Sequence, residues 1–153
     1  MLEIIAYEMK FAKTMKEFSE ISCMPFEVHY FEEYKRIYNE CFYDMRKALE
    51  IEPYNFLDNY EQIKEKVYNI YLLVDNEEII GSVACYGNEI DDLIVNKRFQ
   101  QKGYGKQLLL WAMECIRKRS DEPITLHVAE WNENALGLYK KVGFEVVNVE
   151  KVR

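Results

Sequence analysis

VNKRFQQKGYGKQLL, residues 95–109, decides the fold, because two glycines join a strand-like apolar run to an amphipathic helical run. The chain has only six glycines in 153 residues, yet Gly103 and Gly105 stand two positions apart. Glycine costs backbone entropy on folding, so a pair at a strand-to-helix junction indicates a special backbone path. We therefore expect the main chain of this loop to approach another group closely.

Strand and helix patterns alternate on both sides of this loop. Upstream, two β-rich runs flank a turn at Asn76 and predict a hairpin, and a third strand leads into the loop. The predicted strands are 68–75, 77–87, 88–95, 123–129 and 143–150, and the predicted helices follow Gly103 and cover 132–142. The strands over 88–95 and 123–129 are joined by a helix and should lie parallel, which predicts an α/β fold.

Side-chain periodicity predicts which faces are buried. In the strand over 123–129, Leu126 and Val128 should face one way and His127 the other. The helix after Gly103 should bury a stripe formed by Tyr104, Leu108, Trp111, Ala112 and Cys115.

The first half of the chain is less regular. An apolar stripe predicts a helix over 30–49, and Asp58 is expected to cap a shorter helix that ends at about Val67. Residues 2–8 and about 18–28 carry weak strand patterns. The sequence contains no repeat, low-complexity tract or flexible linker, so we expect a single domain over residues 1–153.

Composition excludes several classes of function. The net charge of −7 argues against a nucleic-acid partner, and no apolar run is long enough for a membrane span. The first ten residues lack the pattern of a secretory signal, so a cytoplasmic location is expected. We also expect a monomer or a homodimer. The four cysteines form no CxxC pair and lie near no histidine cluster, so we expect reduced, buried thiols and no metal site.

The glycine loop has the features of an anion site. A helix start exposes backbone N–H groups without intrahelical partners, and the helix dipole favours a phosphate there. Lys102 and Lys106 would add positive charge at the mouth of the loop. The alternative is a tight strand–helix turn without a ligand. The pattern is neither a Walker loop nor a dinucleotide-binding GxGxxG motif.

The same stretch resembles V-x-x-x-x-[R/Q]-x-x-G-x-[G/A], the pyrophosphate-binding motif of the GNAT superfamily of N-acetyltransferases. Val95, Gln100, Gly103 and Gly105 fall in register, and Gln101 departs from a common glycine. Residues 126–147, LHVAEWNENALGLYKKVGFEVV, resemble a second motif of the same family. The matching residues there are Leu126, Val128, Asn132, Ala135, Leu138, Tyr139, Lys141, Gly143 and Phe144. The resemblance covers roughly residues 79–147.

This resemblance implies a GNAT-like fold: a mixed, mostly antiparallel sheet with one splayed parallel strand pair, flanked by helices. It also implies an acyltransferase that uses acetyl-CoA as co-substrate, held between the splayed strands, and a primary amine that attacks the thioester directly. The residues implied in acetyl-CoA binding are Leu93, Ile94, Val95, Gln100, Gln101, Lys102, Gly103, Tyr104, Gly105, Lys106, Asn132 and Tyr139. A backbone N–H near Ile94 would polarise the thioester carbonyl.

The resemblance implies that Tyr139 donates a proton to the departing thiolate; the alternative is a core tyrosine. Two candidates remain for the general base, Glu89 and His127. The alternative for Glu89 is a solvent-facing residue beside the turn at Gly87, and the alternative for His127 is a hydrogen-bonded structural histidine. Asp91 and Asp92 are weaker candidates, and Asp92 is expected to face solvent. Asn132 either contacts the cofactor or caps a helix.

Two further expectations concern function. A non-catalytic module that binds acyl-CoA as a sensor or scaffold is the alternative to an enzyme. The segment 51–62, expected near the acceptor end, combines three carboxylates with three aromatic rings and favours a positively charged amine. These residues are Glu52, Asp58, Glu61, Tyr54, Phe56 and Tyr60. The alternative for this segment is a solvated acidic loop.

Overall fold

A seven-stranded sheet organises the computed structural model, which describes residues 2–153. The strands are β1 (Ile5–Phe11), β2 (Met24–Pro25), β3 (Ile70–Asp75), β4 (Glu78–Tyr86), β5 (Glu89–Val95), β6 (Ile124–Ala129) and β7 (Glu145–Lys151). The α-helices are α1 (Phe31–Ala48), α2 (Tyr104–Arg117) and α3 (Glu133–Val142). The strand order is β2-β3-β4-β5-β6-β1-β7, and only β5 and β6 pair in parallel. The predicted mixed, mostly antiparallel α/β fold is confirmed.

The parallel pair separates soon after it forms. Its register contains two residue pairs, Glu89 with Thr125 and Ile90 with Leu126. Beyond them β5 continues to Val95 and β6 to Ala129 without pairing to each other. The two strands therefore splay apart and open a gap in the middle of the sheet, as the resemblance implies.

A β-bulge lies in β5 where the strands part. Ala84 of β4 pairs with Asp91, but Ser82 pairs with Ile94, so β5 has one extra residue between these pairs. Asp92 adopts a positive φ of 47° within the bulge. The bulge shifts the side-chain alternation: Ile90 belongs to the core under α2 and α3, whereas Ile94 belongs to the core under α1.

Each face of the sheet has its own core. Residues such as Met9, Ile124 and Phe144 pack beneath α2 and α3, whereas Ile37 and Leu72 belong to the core beneath α1. No helix among residues 2–153 has both the length and the apolar character of a membrane span.

The buried face of α2 differs in part from the predicted stripe. Leu108 and Ala112 are buried as expected, but Tyr104, Trp111 and Cys115 are only half-buried. The other buried residues of this helix are Leu109, Leu110, Met113 and Ile116. The loop after β1 covers a second side of the helix. The Ser19 backbone N–H and hydroxyl both donate to the Glu114 carboxylate, and the Glu20 backbone N–H donates to the Gln107 side chain.

Two predictions for the first half of the chain are wrong. Only Met24–Pro25 is a strand within residues 18–28. The helix expected from Asp58 to Val67 is replaced by 3₁₀ turns at 60–62 and 67–69. The Gln62 side-chain oxygen accepts hydrogen bonds from the backbone N–H groups of Asp58 and Asn59, which holds the chain in a turn.

Candidate active site

The gap between β5 and β6 opens into a cleft of about 410 Å³. Four elements line it: the second half of β5, the loop before α2, the start of α3 and the middle of α1. Nine of the predicted cofactor residues are among the lining: Leu93, Ile94, Val95, Gln100, Gln101, Gly103, Tyr104, Gly105 and Asn132. Three larger cavities, of about 610, 560 and 540 Å³, contain none of the predicted site residues. The largest and the smallest of these three lie against the loop after β1.

The glycine loop adopts an unusual backbone that leaves room for a ligand. Gly103 is the N-cap of α2 at a φ of 87°, and Gln101 has a φ of 63°. A β-carbon added at Gly105 would meet only Leu138 at 3.7 Å and Val95 at 4.0 Å, which are ordinary contacts. Packing within the protein therefore does not require glycine at position 105. A group that approaches this helix start from the cleft would explain it.

The lysines of the loop lie elsewhere than expected. The Lys106 ammonium is 2.7 Å from the Glu17 carboxylate, and the Lys102 ammonium lies 5.7 Å from the centre of the Phe99 ring. Neither residue lines the cleft, whereas Lys97 does. Sequence reasoning missed Lys97 because it occupies a position that the motif leaves free. Within the loop itself, the backbone amides remain the main source of positive potential.

Asn132 caps α3. Its side-chain oxygen accepts a hydrogen bond from the Ala135 backbone N–H at 3.2 Å, so the helix-cap prediction is confirmed. The same residue lines the cleft. A cofactor contact by Asn132 stays a prediction.

Tyr139 is a buried tyrosine with a free hydroxyl. Its side chain is 8% exposed, and its ring centre lies 6.1 Å from that of Phe144. Burial and the negative charge of Asp91 raise the pKa of Tyr139 to about 12, so it is protonated at neutral pH. Within residues 2–153 its hydroxyl makes no hydrogen bond, and no fully buried side-chain oxygen lacks a partner. The hydroxyl oxygen therefore borders accessible space.

The two candidate bases contact each other. The Glu89 carboxylate lies 3.0 Å from Nδ1 of His127, and Nε2 of His127 lies 3.7 Å from the Glu150 carboxylate. Glu8, on the strand between them, brings a third side chain to within 4.8 Å of the His127 and Glu150 atoms. The structure thus joins Glu89 and His127 in a row of side chains across β5, β6, β1 and β7.

Asp92 differs from its expected exposure. It is half-buried, while Asp91 beside it is exposed, so the prediction that Asp92 faces solvent is wrong. Burial, together with the charge of Asp91, raises the pKa of Asp92 to about 7, and Lys66 opposes this rise. The bulge is the cause, because its positive φ turns the carboxylate toward α1.

Three tyrosines share this region with Asp92. Burial is the main cause that raises the pKa of Tyr34, Tyr38 and Tyr86, and the charge of Asp92 raises it further in each. Tyr34 is only 1% exposed, and its hydroxyl makes no hydrogen bond within residues 2–153. The sequence pattern gave no sign that these three tyrosines lie near a carboxylate, because that contact depends on the bulge in β5.

The acidic segment after α1 has partners of its own. The Arg46 guanidinium lies 4.6 Å from the centre of the Phe56 ring, and Tyr54 packs against Tyr43. The Glu61 carboxylate lies 3.6 Å from the Lys64 ammonium. These contacts use groups that were expected to bind a cationic acceptor, which favours the alternative of a solvated loop.

Cys41 is the one cysteine that lines the cleft among residues 2–153. Its thiol donates to the Val95 carbonyl oxygen at 3.2 Å. Burial raises the pKa of this thiol to about 11, so it is not an activated nucleophile. All four cysteines are free thiols, but only Cys85 is buried; the other three are half-buried.

Comparisons with known proteins agree with this geometry. Residues 31–144 match the sequence model of the acetyltransferase (GNAT) family. The chain is 34% identical over 115 residues to YvbK of Bacillus subtilis, an uncharacterized N-acetyltransferase, covering 59% of this chain and 74% of YvbK. It is 30% identical over 80 residues to YjaB of Salmonella typhimurium, a peptidyl-lysine N-acetyltransferase, covering 52% of each chain. The chain thus spans about half the length of YjaB.

One solved structure illustrates the fold similarity. The PaiA N-acetyltransferase of Thermoplasma acidophilum, in complex with coenzyme A, superposes with a TM-score of 0.65 at 19% identity. The match covers 86% of this chain and 99% of that protein.

Proposed function

Since the chain belongs to the acetyltransferase (GNAT) family, we propose that it transfers the acetyl group of acetyl-CoA to a primary amine. One observation carries the proposal: the cleft between the splayed strands runs from the glycine loop to Leu93, the bulge residue that follows Asp92. The peptidyl-lysine activity in the name of the relative YjaB supports a primary amine as the acceptor.

The cleft fits acetyl-CoA at both ends. At the helix start, the room at Gly105 and the unpartnered amides of the first turn of α2 suit a pyrophosphate. Between the splayed strands, the edge of β5 at Leu93 and Ile94 no longer pairs with β6, and it suits the amide groups of the pantetheine arm. The Val95 carbonyl oxygen already accepts hydrogen bonds from the Cys41 thiol and the Gln100 side chain.

Two bulge residues, Asp92 and Leu93, have no ladder partner in β4. The Asp92 N–H already donates to the Asp91 carboxylate at 2.8 Å, so the Leu93 N–H is the amide proposed to bind the thioester oxygen.

Bound acetyl-CoA supplies an activated acetyl group. The protein has to accept a proton from the ammonium group and donate one to the departing sulfur. We assign the proton acceptor to Asp92. A lysine-like ammonium has a pKa of about 10.4, so its transfer to an ordinary aspartate is uphill by about 9 kcal/mol. With a carboxyl pKa of about 7 the same transfer is uphill by only about 5 kcal/mol.

The proposed reaction moves two protons besides the acetyl group. The ammonium gives one proton to Asp92, and the free nitrogen forms its bond to the acetyl carbon as the carbon–sulfur bond breaks. Tyr139 donates its hydroxyl proton to the departing sulfur, and it regains a proton from the new amide nitrogen through solvent. The high pKa of Tyr139 keeps it a donor at neutral pH, so full transfer comes late. Products are the N-acetyl amine, free CoA and one proton.

A thiol-release assay with a panel of amines tests the proposal. Appearance of free CoA in proportion to the acetylated amine is expected. If acetyl-CoA binds but no primary amine releases CoA, the chain is the non-catalytic acyl-CoA-binding module instead.

A further inference from the structure

The two edges of the sheet differ in how they are protected. At one edge, β2 has only two residues, and one of them is a proline, so it offers little to a pairing strand. At the other edge, β7 has seven residues without a proline, and β1 is its one strand neighbour among residues 2–153. Val146, Val147 and Val149 of this strand are 38%, 51% and 60% exposed. A long, apolar and uncovered edge strand is a template for pairing with another chain.

The outer edge of β7 has backbone groups available for such pairing. The Val152 N–H donates to the Ile4 carbonyl oxygen at 2.8 Å, so the backbone of residue 152 faces β1. Backbone groups alternate along a strand, and the register with β1 is regular from Lys151 to Asn148, so Lys151 and Val149 face the free edge. Val147 is the extra residue of a bulge and has no partner in β1. These three residues can therefore pair outward.

The sequence of β7 complements itself when two copies run antiparallel. A two-fold axis through Asn148 places Val147 opposite Val149 of the second copy, and it places Glu145 opposite Lys151. The four valines then form one apolar group, and both ion pairs between the copies are attractive. A shift of the register by two residues in either direction sets a valine against Lys151 or Glu145 instead. Charge and apolar complementarity thus favour a second copy of this chain in one register.

We propose that β7 pairs antiparallel with β7 of a second copy around an axis at Asn148, so that two sheets join into one. Both ends of the strand now form exposed ion pairs within the chain, Glu145 with Lys13 at 3.7 Å and Lys151 with Glu3 at 3.3 Å. Exposed pairs of this kind contribute little, so they exchange readily for the pairs between copies. Since β7 lies two strands beyond β6, each copy keeps its own cleft.

A charge exchange tests the register. Sedimentation equilibrium of the full chain should show twice the monomer mass, with dissociation on dilution. Glu145→Lys and Lys151→Glu should each raise the dimer dissociation constant at least about tenfold, because two attractive pairs become repulsive. The double variant Glu145→Lys/Lys151→Glu should recover most of the association. Within one chain these residues lie about 20 Å apart, at about 3.3 Å per residue, so recovery requires contact between copies.

A cysteine cross-link tests the position of the axis. Residue 148 meets its own copy there as a non-hydrogen-bonded pair, with Cα atoms about 4.5 Å apart, which suits a disulfide. Asn148→Cys should therefore form a disulfide between copies under mild oxidation. The control Glu150→Cys, whose residue faces position 146 of the second copy, should not. The wild-type chain, with four free thiols, gives the background.

Exposed valines elsewhere provide the control for the apolar contacts. Val149→Lys should weaken association, since it places two lysines against valines of the other copy. Val28→Lys changes a valine that is 65% exposed and lies outside the sheet, so it should leave association unchanged. Thermal unfolding should show that both variants keep the wild-type fold.

Two results contradict the inference. The first is a protein that stays monomeric at every concentration. The second is a dimer that neither responds to the charge exchange nor cross-links through residue 148, because its copies then meet at another surface. Either result leaves the acetyltransferase proposal intact, since each cleft is formed by one chain.

Discussion

The Tyr139 side chain has a buried ring and an accessible hydroxyl. Its ring belongs to the core beneath α2 and α3, while its hydroxyl makes no hydrogen bond among residues 2–153. No fully buried side-chain oxygen of these residues lacks a partner, so this hydroxyl borders accessible space. It is thus free to donate to a group outside the protein, as the proposed reaction requires.

Replacing Tyr139 by phenylalanine tests this role. The Tyr139→Phe protein should fold normally, because the ring and its contact with Phe144 are kept, yet kcat should fall by about 10²–10⁴-fold. Tyr68→Phe is the matched control, since Tyr68 is 87% exposed, and it should keep the wild-type rate. A Tyr139→Phe variant with wild-type kcat would falsify the donor role.

The Asp92 carboxylate should lower the free energy of unfolding at neutral pH. Its folded pKa of about 7 lies above the unfolded value of about 4, so the folded state binds the proton more tightly. The free energy of unfolding should therefore decrease as pH rises from about 4 to about 7 and stay low above that range. Asp92→Asn, which also accepts a positive φ, should be more stable at pH 8 by about 2–4 kcal/mol. The difference should vanish near pH 4 in denaturant titrations.

The pH dependence of the rate tests Asp92 as the base. The base must be deprotonated, so kcat/KM should rise with pH through about 7 and then level off. Asp92→Asn should lose this rise together with most of the activity. If Asp92→Asn keeps the profile and Glu89→Gln abolishes it, the Glu89–His127 pair is the base.

The sequence predicted some of these residues better than others. The local sequence pattern was enough to predict the positions of Gly103, Gly105 and Asn132. Glycine and helix-cap preferences depend on the backbone conformation at the residue itself. Asp92 could not be predicted, because a one-residue bulge depends on the register between β4 and β5. The Lys106–Glu17 ion pair depends in the same way on a loop distant in sequence.

At the scale of elements, two substitutions at the start of α2 separate helix stability from binding. Glycine inside a helix costs about 1 kcal/mol relative to alanine. Gly105→Ala should therefore stabilise the protein, since its β-carbon meets only ordinary contacts, and it should keep acetyl-CoA binding because the motif accepts alanine there. The larger side chain of Gly105→Val should obstruct the pyrophosphate and weaken acetyl-CoA binding at least about tenfold.

Gly137→Val is the matched control for the binding prediction. Gly137 lies within α3 in open space, so valine there should leave acetyl-CoA affinity unchanged. Calorimetric titration measures the affinity, and thermal unfolding measures the stability of each variant. Equal affinity of the Gly105→Val protein and the wild type would remove the pyrophosphate from this loop.

Secondary-structure elements with strong periodic patterns were predicted more accurately than elements without them. The helix over 30–49 and the strands that line the cleft have strong periodic patterns, and the structure confirms them within a few residues. The helix expected from Asp58 is only a 3₁₀ turn that begins one residue later, where Asn59 and Gln62 form a capping box. A capping pattern in the sequence marks where a helical turn starts and does not fix its length.

For the whole molecule, the position of β1 matters most. This strand lies between β6 and β7, although it is far from both in sequence. The backbone N–H of Ile4 donates to the carbonyl oxygen of Arg153 at 3.0 Å. The backbone N–H of Val152 donates to the carbonyl oxygen of Ile4 at 2.8 Å. The first and last described strands are thus held side by side.

This arrangement predicts that the chain tolerates circular permutation. Linking residue 153 to residue 2 through a short flexible segment and opening the turn at Asn76 should preserve the cleft and acetyl-CoA binding, because Asn76 and Glu77 are exposed. The control, opened within β4 at Ser82, should not fold, since Ser82 is 1% exposed. Circular dichroism and thermal unfolding distinguish the two, and a permutant opened at Asn76 that fails to fold contradicts the prediction.

The central place of β1 also has a consequence for protein synthesis. A ribosome makes residues 5–11 long before residue 124, so this strand leaves the exit tunnel with neither of its neighbours available. Its alternating apolar side chains stay unpaired until β6 and β7 have been translated. During that interval we expect the nascent strand to be a target for chaperones, and we expect its insertion between β6 and β7 to be a late step of folding.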